Sequence, residues 1–492
     1  MPLVRMDTWD GRPSFPSSLL PGPQDPNDLL ASDAVGTATL KNYFSAGRML
    51  ARGDGTAAFE PGAVAQFELS VRPGVFYDTG FAGGNSAFRP SVIALPGTPE
   101  AHQRGQFYFD GTVPGTDTGT LAQIPLRAQL GGQTMDMFGM GNIQATADIL
   151  STGNNFFNAR SAYAAAVTPN NAAGVLFGKA ETLFGDQGSS PFLVGTGSLP
   201  LGAVALSGAD GEFTNVAQFR LNRAWHNVFS TGDAFVASMS IEDQSSLGDV
   251  LVASSDDRAV LHRYPVLVAR ARLQGANGFN SFQVASLVRS IGYNDVDFRN
   301  HFVTGWGVST IGRMKLGNRN DADSAYFTVV GGEGIGGYIY SGTDGAVTTA
   351  NSIRALSNLG SFVGYRHVWA YTSPTRYLSS NCLYGYAWGS NQNATEFAVT
   401  SVNQNRILYE AGCNLIWNRD KNFAIGIEYL YGSRVTSPVS GGLHGEDHRV
   451  MFVLNAASGS SDKTSAGRGG RSSRDGGPGR GTSSNTTNAF RL

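Results

Sequence analysis

The sequence predicts an all-β fold: a transmembrane antiparallel β-barrel of about 16 strands. Three observations indicate it: a low content of charged residues, an apolar/polar alternation that recurs along the chain, and aromatic residues near the ends of the alternating segments. The barrel is expected to span residues 61–457. A poorly structured leader is expected at residues 1–60, and a disordered low-complexity tail at 458–492.

Composition limits the classes of protein to consider. Charged residues make up 15% of the chain, which holds 64 glycines, whereas globular proteins carry roughly 25% charged residues. No apolar run approaches the roughly 20 residues of a membrane helix. Such a composition is typical of a membrane β-barrel, whose strands hide their apolar half between polar neighbours. The net charge of -2 indicates no nucleic-acid partner.

The two ends of the chain differ in amino-acid composition from its middle. Residues 1–60 are rich in proline, aspartate and small residues, and they contain no apolar segment of the kind found in a signal peptide. An exported protein is expected to carry such a signal, so its export route is not visible here. Residues 458–492 combine glycine, serine and arginine and have almost nothing to bury.

The segment NFAIGIEYLYG at residues 422–432 shows the alternation most clearly. Its odd-numbered residues from 423 to 431 are all aromatic or aliphatic, while the opposite parity holds small residues and Glu428. Leu430 is the one apolar exception. A strand with this pattern has one apolar and one polar face. Nine such residues rise about 20 Å after a tilt of about 40°, close to the apolar band of an outer membrane.

The same division recurs in six more segments. They are PVLVARARLQ (265–274), SFQVASLVRS (281–290), FVTGWGVSTIGRMKLG (302–317), FVGYRHVW (362–369), YLSSNCLYGYAW (377–388) and RILYEAGCNLIW (406–417). Glycine, serine, asparagine and isolated arginines occupy the polar parity. At about 21 to 25 residues for each strand with its connection, residues 62–457 allow roughly 16 to 18 strands, a number that suits a barrel with an aqueous channel.

A soluble β-sandwich or propeller also alternates, so an adhesin or carbohydrate-binding protein is the alternative hypothesis. Soluble surfaces favour lysine, glutamate and threonine, but this chain has only five lysines among its 36 basic residues. The composition of the polar face therefore favours the membrane barrel.

The two cysteines, Cys382 and Cys413, belong to no metal-binding or redox motif. If the hairpin between their strands centres near residues 392–397, the two residues lie diagonally, roughly 7 to 8 Å apart. That distance disfavours a disulfide. Both cysteines are expected to act as packing residues.

The C-terminal third resembles the DcaP-like family of trimeric outer-membrane porins. The resemblance depends on residues 362–391, on LYEAGCNLIWNRDKNFAIGIEYLYGSR at 408–434 and on GEDHRVMFVLNAA at 445–457. Upstream, GVFYDTG (74–80), GKAETLF (178–184), QFRLNRAW (218–225) and GIGGYI (334–339) are similar to landmarks of that family. The chain departs from the family in its tail after VLNAA and in having no N-terminal coiled-coil heptads.

The resemblance implies a 16-stranded homotrimeric porin in a bacterial outer membrane, which passes small hydrophilic solutes by passive diffusion, with anions favoured in some members. It also suggests that residues Gly185 to Gly202 form the loop that folds inward and narrows the pore. Their content of glycine, serine and proline fits a surface loop equally well.

A channel selects solutes through the charged side chains that line it. The polar parity supplies nine pore-lining candidates: Arg270, Arg272, Arg289, Arg313, Lys315, Arg366, Arg406, Glu410 and Glu428. Because basic candidates outnumber acidic ones, a mild preference for anions is expected. A place on the rim, paired with a carboxylate, is the alternative for any one of them.

An enzymatic function is not expected. The seven histidines are dispersed, and no metal, nucleophile-elbow or phosphate-loop motif is present. Some membrane barrels are hydrolases with serine and histidine on the lipid face, and Ser309 and Ser379 are the candidates for that alternative. No cofactor or metal is expected, and the expected partners are membrane lipid, small solutes and further copies of the chain.

Overall fold

A computed structural model shows the fold. Side chains are described in residues 75–80, 88–98, 101, 105, 173–186, 189–190, 199–204, 216–225, 227–229, 233–243, 250, 261–275, 279–295, 297, 299–317, 323–348, 352–372, 376–390, 405–419, 423–437 and 442–454. Elsewhere only the backbone of the strands named below is described. The predicted tail at 458–492 lies outside these residues, as does most of the predicted leader.

The chain is all-β, as predicted. The first strands are β1 (Asn42–Ala46), β2 (Met49–Ala51), β3 (Ala57–Phe59), β4 (Gly62–Phe67), β5 (Ser70–Val71), β6 (Gly74–Asp78), β7 (Gln106–Phe109), β8 (Leu126–Gly132) and β9 (Asn142–Thr152). Then follow β10 (Asn155–Val167), β11 (Ala173–Ala180), β12 (Val216–His226), β13 (Ala234–Glu242), β14 (Val250–Leu251), β15 (Val260–Leu261), β16 (Val266–Gln274), β17 (Ser281–Asn294), β18 (Asn300–Lys315) and β19 (Ser324–Glu333).

The remaining strands are β20 (Ala346–Thr348), β21 (Ile353–Ala355), β22 (Ser357–Ser373), β23 (Arg376–Gly389), β24 (Asn405–Asp420), β25 (Phe423–Thr436) and β26 (His444–Ala457). Two short 3-10 helices lie at Pro90–Val92 and Gly336–Tyr338. Within the described residues no helix is long and apolar enough to cross a bilayer.

A single antiparallel ladder organises the chain. From β10 it passes through β11, β12, β13, β16, β17, β18, β19, β22, β23, β24, β25 and β26. The last strand, β26, then pairs with the early strand β6, which pairs with β7. Strands β9, β8, β4 and β1 extend the ladder from β10 in the other direction. The far end of the chain is thereby joined to one of its first strands.

The connections between consecutive ladder strands alternate in length. At one end of the sheet they are short, as at residues 374–375 between β22 and β23 and 421–422 between β24 and β25. At the other end most of them are long, as at 181–215, 334–356 and 390–404, although 295–299 and 437–443 are short. We call these the short-turn end and the long-loop end. Membrane barrels place short turns in the periplasm and long loops outside.

The two faces of the ladder differ as the alternation predicts. Large apolar side chains stand exposed on one face, including Phe177 at 70%, Val363 at 58% and Ile427 at 50%. The opposite face is buried and carries most of the polar candidates. Three connections from the long-loop end pack against this buried face, which we call the inner face; the exposed apolar face is the outer face.

The prediction for the cysteines was wrong. Cys382 and Cys413 are direct register partners on β23 and β24, with Cα atoms 4.1 Å apart, and they form a disulfide. The register centres the hairpin near residue 398, whereas the sequence placed the centre at residues 392–397. The connection between the two strands is long and has no sharp turn signature, so its centre could not be located from the sequence. The shift moves the two cysteines from a diagonal to an opposed position.

Candidate channel interior

The structure places the predicted pore-lining residues on the inner face. Six of the nine are buried there: Arg270, Arg272, Arg289, Arg366, Glu410 and Glu428. Arg313 and Lys315 are partly buried, and Arg406 lies at a register irregularity of β24. The period-2 argument places these residues on one face of the ladder, but it does not show what covers that face, and their pore-lining role stays a prediction.

The connection after β11 folds onto the inner face, where two wall carboxylates hold it. Glu242 accepts hydrogen bonds from Thr182 Oγ1 (2.6 Å) and from the Leu183 amide (2.8 Å). Glu410 accepts one from the Leu201 amide at 2.6 Å. The predicted inward course of residues 185–202 is therefore confirmed for the part that the structure describes. Glu410 binds this segment, and Glu242 is an anchor that sequence reasoning missed.

Wall side chains also hold the first residues of this connection. Ser309 Oγ donates to the Phe184 carbonyl oxygen at 2.7 Å, and Gln283 Nε2 donates to that of Gly185 at 3.0 Å. Ser309 is fully buried, and Ser379 is also buried on the inner face. The hydrolase alternative required lipid-facing serines, so these two positions do not support it.

A second inward segment, residues 334–348, comes from the connection between β19 and β22. It joins the first segment through an antiparallel bridge between Val204 and Ile339 and a hydrogen bond from the Tyr340 amide to the Ala203 carbonyl oxygen at 2.9 Å. Arg289 from the wall donates to the Gly334 carbonyl oxygen at 3.1 Å. The two connections therefore form one unit, and Arg289 supports it.

A third inward segment, residues 88–95, packs beside the other two. Ser341 Oγ donates to Ser91 Oγ at 2.8 Å, and Arg434 of β25 donates to the Ile93 carbonyl oxygen at 2.9 Å. Leu430 is buried in a cluster with Phe88 and Ile93. The apolar exception in the strand pattern is thus the contact of β25 with this segment.

Several inner-face glycines mark where the inward segments touch the wall. A methyl group on Gly385 would lie 2.5 Å from the Leu201 carbonyl oxygen, and one on Gly432 would lie 2.8 Å from the Phe88 ring. One on Gly307 would lie 2.9 Å from Ile335. The sequence analysis placed these glycines on the polar parity, and the structure shows that they are contact points for the segments.

Basic side chains of the wall lie against acidic and aromatic groups. Arg272 pairs with Asp186 of the first inward segment at 3.6 Å. The Arg313 guanidinium and the Lys315 ammonium lie 5.0 Å and 5.4 Å from the centre of the Phe279 ring. Contacts of this kind stabilise a cation without neutralising its charge. Arg313 and Lys315 therefore bring positive charge to a partly exposed part of the inner face.

A row of polar side chains crosses six consecutive ladder strands of the inner face. The register places them directly opposite one another in the order Lys315, Ser324, Arg366, Asn381, Asn414 and Glu428. Asn381 Nδ2 donates to Asn414 Oδ1 at 3.0 Å, and Asn414 Nδ2 donates to Glu428 Oε2 at 3.0 Å. The row has basic side chains at one end and a carboxyl group at the other. Within the described residues no cluster of potential metal ligands accompanies it.

Comparison with known proteins places this arrangement in a fold class, that of the outer-membrane porins. The outer-membrane channel DcaP of Acinetobacter baumannii is similar over 80% of this chain and 97% of that chain, with a TM-score of 0.58 and 18% identity. An anion-selective porin from Comamonas acidovorans aligns over 81% of this chain and 99% of that chain, with a TM-score of 0.47 and 10% identity. No family model and no curated protein sequence matches the chain. The predicted resemblance to DcaP is confirmed at the level of the fold.

Proposed function

We propose that this chain is a bacterial outer-membrane porin, a closed barrel of about 16 strands that lets small hydrophilic solutes diffuse passively. The observation that carries the proposal is the sidedness of the ladder. Exposed apolar side chains such as Phe177, Trp306 and Ile427 form the outer face, while arginines and carboxylates lie on the inner face. A soluble β-protein would have the opposite distribution. Lipid on the outside and solutes on the inside are the expected partners, with no cofactor and no catalytic role.

The three inward segments are proposed to narrow the channel. They approach from the long-loop end, and wall groups at Glu242, Glu410, Arg289 and Arg434 hold them. Narrowing by fixed segments gives a channel that filters by size and charge. A homotrimer is proposed from the resemblance to the trimeric family.

A mild preference for anions is proposed because Arg313, Lys315 and Arg406, the three candidates that stay partly accessible, are all basic, whereas Glu410 and Glu428 are buried. Arg313 and Lys315 are the most accessible of the described basic candidates with an aromatic support. Rings of basic side chains favour anions in a narrow channel.

The test is a planar-bilayer recording of protein extracted from outer membranes with detergent. We expect stepwise ion conductance and a reversal potential of anion sign under a salt gradient. The double variant Arg313→Glu/Lys315→Glu should shift the potential towards cations, and Glu446→Gln, a change on the outer face, should not. Recovery in the aqueous fraction without detergent would support the soluble adhesin or carbohydrate-binding alternative. Cation selectivity of the unmodified channel would contradict the anion preference alone.

A further inference from the structure

An exposed arginine lies on the outer face at the long-loop end. Arg263 precedes β16, and its guanidinium carbon is 5.7 Å from the centre of the Phe302 ring on β18. Arg263 is exposed, and Phe302 is 38% exposed. The guanidinium of Arg263 thus lies at the edge of the apolar outer face that is nearest the long-loop end.

Neighbouring residues on β17 and β18 hold Arg263 and Phe302 in place. The Tyr264 hydroxyl lies 3.3 Å from Thr304 Oγ1, so residue 264 reaches across to β18. Phe302 lies over Gly292, where a methyl group would be 2.5 Å from the ring. The Arg263 amide donates to Ser290 Oγ at 3.3 Å. The aromatic platform and the backbone that bears the arginine are therefore both held against β17.

The charges near the platform leave the guanidinium available for an anion. The carboxylate of the neighbouring turn, Asp295, is engaged elsewhere. It pairs with His301 at 2.7 Å and accepts hydrogen bonds from the backbone amides of Asp297 and Arg299. Among the described ion pairs none involves Arg263. Guanidinium groups bind phosphate oxygens with two parallel hydrogen bonds.

We propose that Arg263, Phe302 and Tyr264 bind the phosphorylated head group of a lipid in the outer leaflet. The inference rests on the proposed function, since it requires the outer face to contact lipid and the long-loop end to face outwards. The apolar outer face continues directly below the site, so the acyl chains of a bound lipid would lie along Leu267, Phe282 and Val288, which are exposed. The phosphate of the same lipid would then lie beside the Arg263 guanidinium.

The opposite end of the outer face offers a matched control. Arg223 lies 5.9 Å from the centre of the Trp225 ring on β12, near the short-turn end. It is an exposed arginine on an aromatic platform, as Arg263 is. It differs from Arg263 in lying near the other end of the sheet, and no tyrosine contact like that of Tyr264 is found beside it among the described residues.

The test compares lipid binding by full-length protein in detergent micelles, measured by native mass spectrometry. The probes are lipid A with two phosphates and lipid A with both phosphates removed. We expect the unmodified protein to bind the phosphorylated form roughly tenfold more tightly, as the loss of charge-assisted hydrogen bonds predicts. Arg263→Gln should abolish that difference, while Arg223→Gln should retain it.

Equal binding of the two probes by the unmodified protein would overturn the proposal. An equal loss in Arg223→Gln would also overturn it, because the effect would then be general charge attraction. Conductance of the same preparations separates this inference from the proposed function. Conducting protein without phosphate dependence refutes the lipid site alone, whereas phosphate-dependent binding without conductance refutes the porin function alone.

Discussion

Asp78 and Arg449 form a fully buried ion pair between β6 and β26, although 371 residues separate them in the chain. Arg449 Nε and Nη2 donate to the two carboxylate oxygens of Asp78 at 2.6 Å and 2.7 Å. The guanidinium carbon lies 4.2 Å from the centre of the Phe76 ring and 5.2 Å from that of Phe88. This pair holds the seam at which the last strand meets an early one.

Removing the arginine should weaken the seam. Arg449→Leu leaves the Asp78 carboxylate buried without its charge partner, which costs about 3 to 5 kcal/mol in comparable pairs. We expect the free energy of unfolding in urea to fall by about that amount. The double variant Asp78→Asn/Arg449→Leu should recover part of the loss, because no charge then remains buried. A single variant as stable as the unmodified protein would show that the pair does not hold the seam.

An added methyl group at Gly385 should disturb the first inward segment. Gly385→Ala places the methyl 2.5 Å from the Leu201 carbonyl oxygen, an overpacking that costs about 1 to 3 kcal/mol. We expect lower stability and greater open-channel current noise in planar bilayers. The control is Gly331→Ala on the outer face, where the nearest atom would be 3.5 Å away. Equal noise in both variants would argue against a contact point at Gly385.

The disulfide should be present in protein extracted from membranes. Cys382 and Cys413 close a separation of 31 residues, for which the loop-entropy relation gives about 3.7 kcal/mol of stability. We expect neither thiol to react with iodoacetamide until the protein is reduced, as read by intact mass. Cys382→Ser/Cys413→Ser should unfold at a lower urea concentration. Two alkylated thiols in unreduced protein would contradict the assignment.

The turn between β17 and β18 should respond to acid. The hydrogen bond from His301 holds the pKa of the Asp295 carboxyl below its usual range, aided by the Arg299 and Asp297 amides. A lowered pKa in the folded state gives stability that is complete above the ordinary carboxyl pKa of about 3.9 and is lost as the pH falls through the folded value. We therefore expect the protection of the Asp297 and Arg299 amides against hydrogen exchange, relative to the intrinsic rate at each pH, to fall only below about pH 4.

Asp295→Asn supplies the comparison for that measurement. In this variant the Asp297 and Arg299 amides should be less protected from hydrogen exchange at neutral pH. Their protection should not fall further when the solution is acidified. Persistent acid sensitivity in the variant would assign the effect to another carboxyl group.

The sequence predicted the faces of the strands well, because a period of two depends only on local geometry and burial. Trp306, Val363 and Ile427 are exposed where the alternation placed them, and Arg272 and Glu428 lie on the opposite face, although there they are buried. The alternation also flagged Leu430 as an exception without explaining it. The explanation lies in Phe88 and Ile93, more than 300 residues earlier in the chain.

What the sequence could not predict depends on contacts between distant segments. Glycine at position 385 or 432 looks the same whether water or another segment faces it, and only the structure separates the two cases. Glu410 was correctly assigned to the inner face, yet its bond to Leu201 requires knowing where a long connection returns. The disulfide was missed because one misplaced hairpin centre shifts a whole register.

The segment at residues 88–95 has a consequence for how the protein assembles. Its hydrogen bonds to Arg434, Asn405 and Ser341 span 341, 314 and 250 residues. Such separations make contacts slow to form, and a chain is delivered from its N-terminus. The earliest of the three inward segments to be synthesised thus has to wait for β24 and β25 before its binding surface exists. We expect residues 88–95 to reach their final packing only late in assembly, after β24 and β25 have paired.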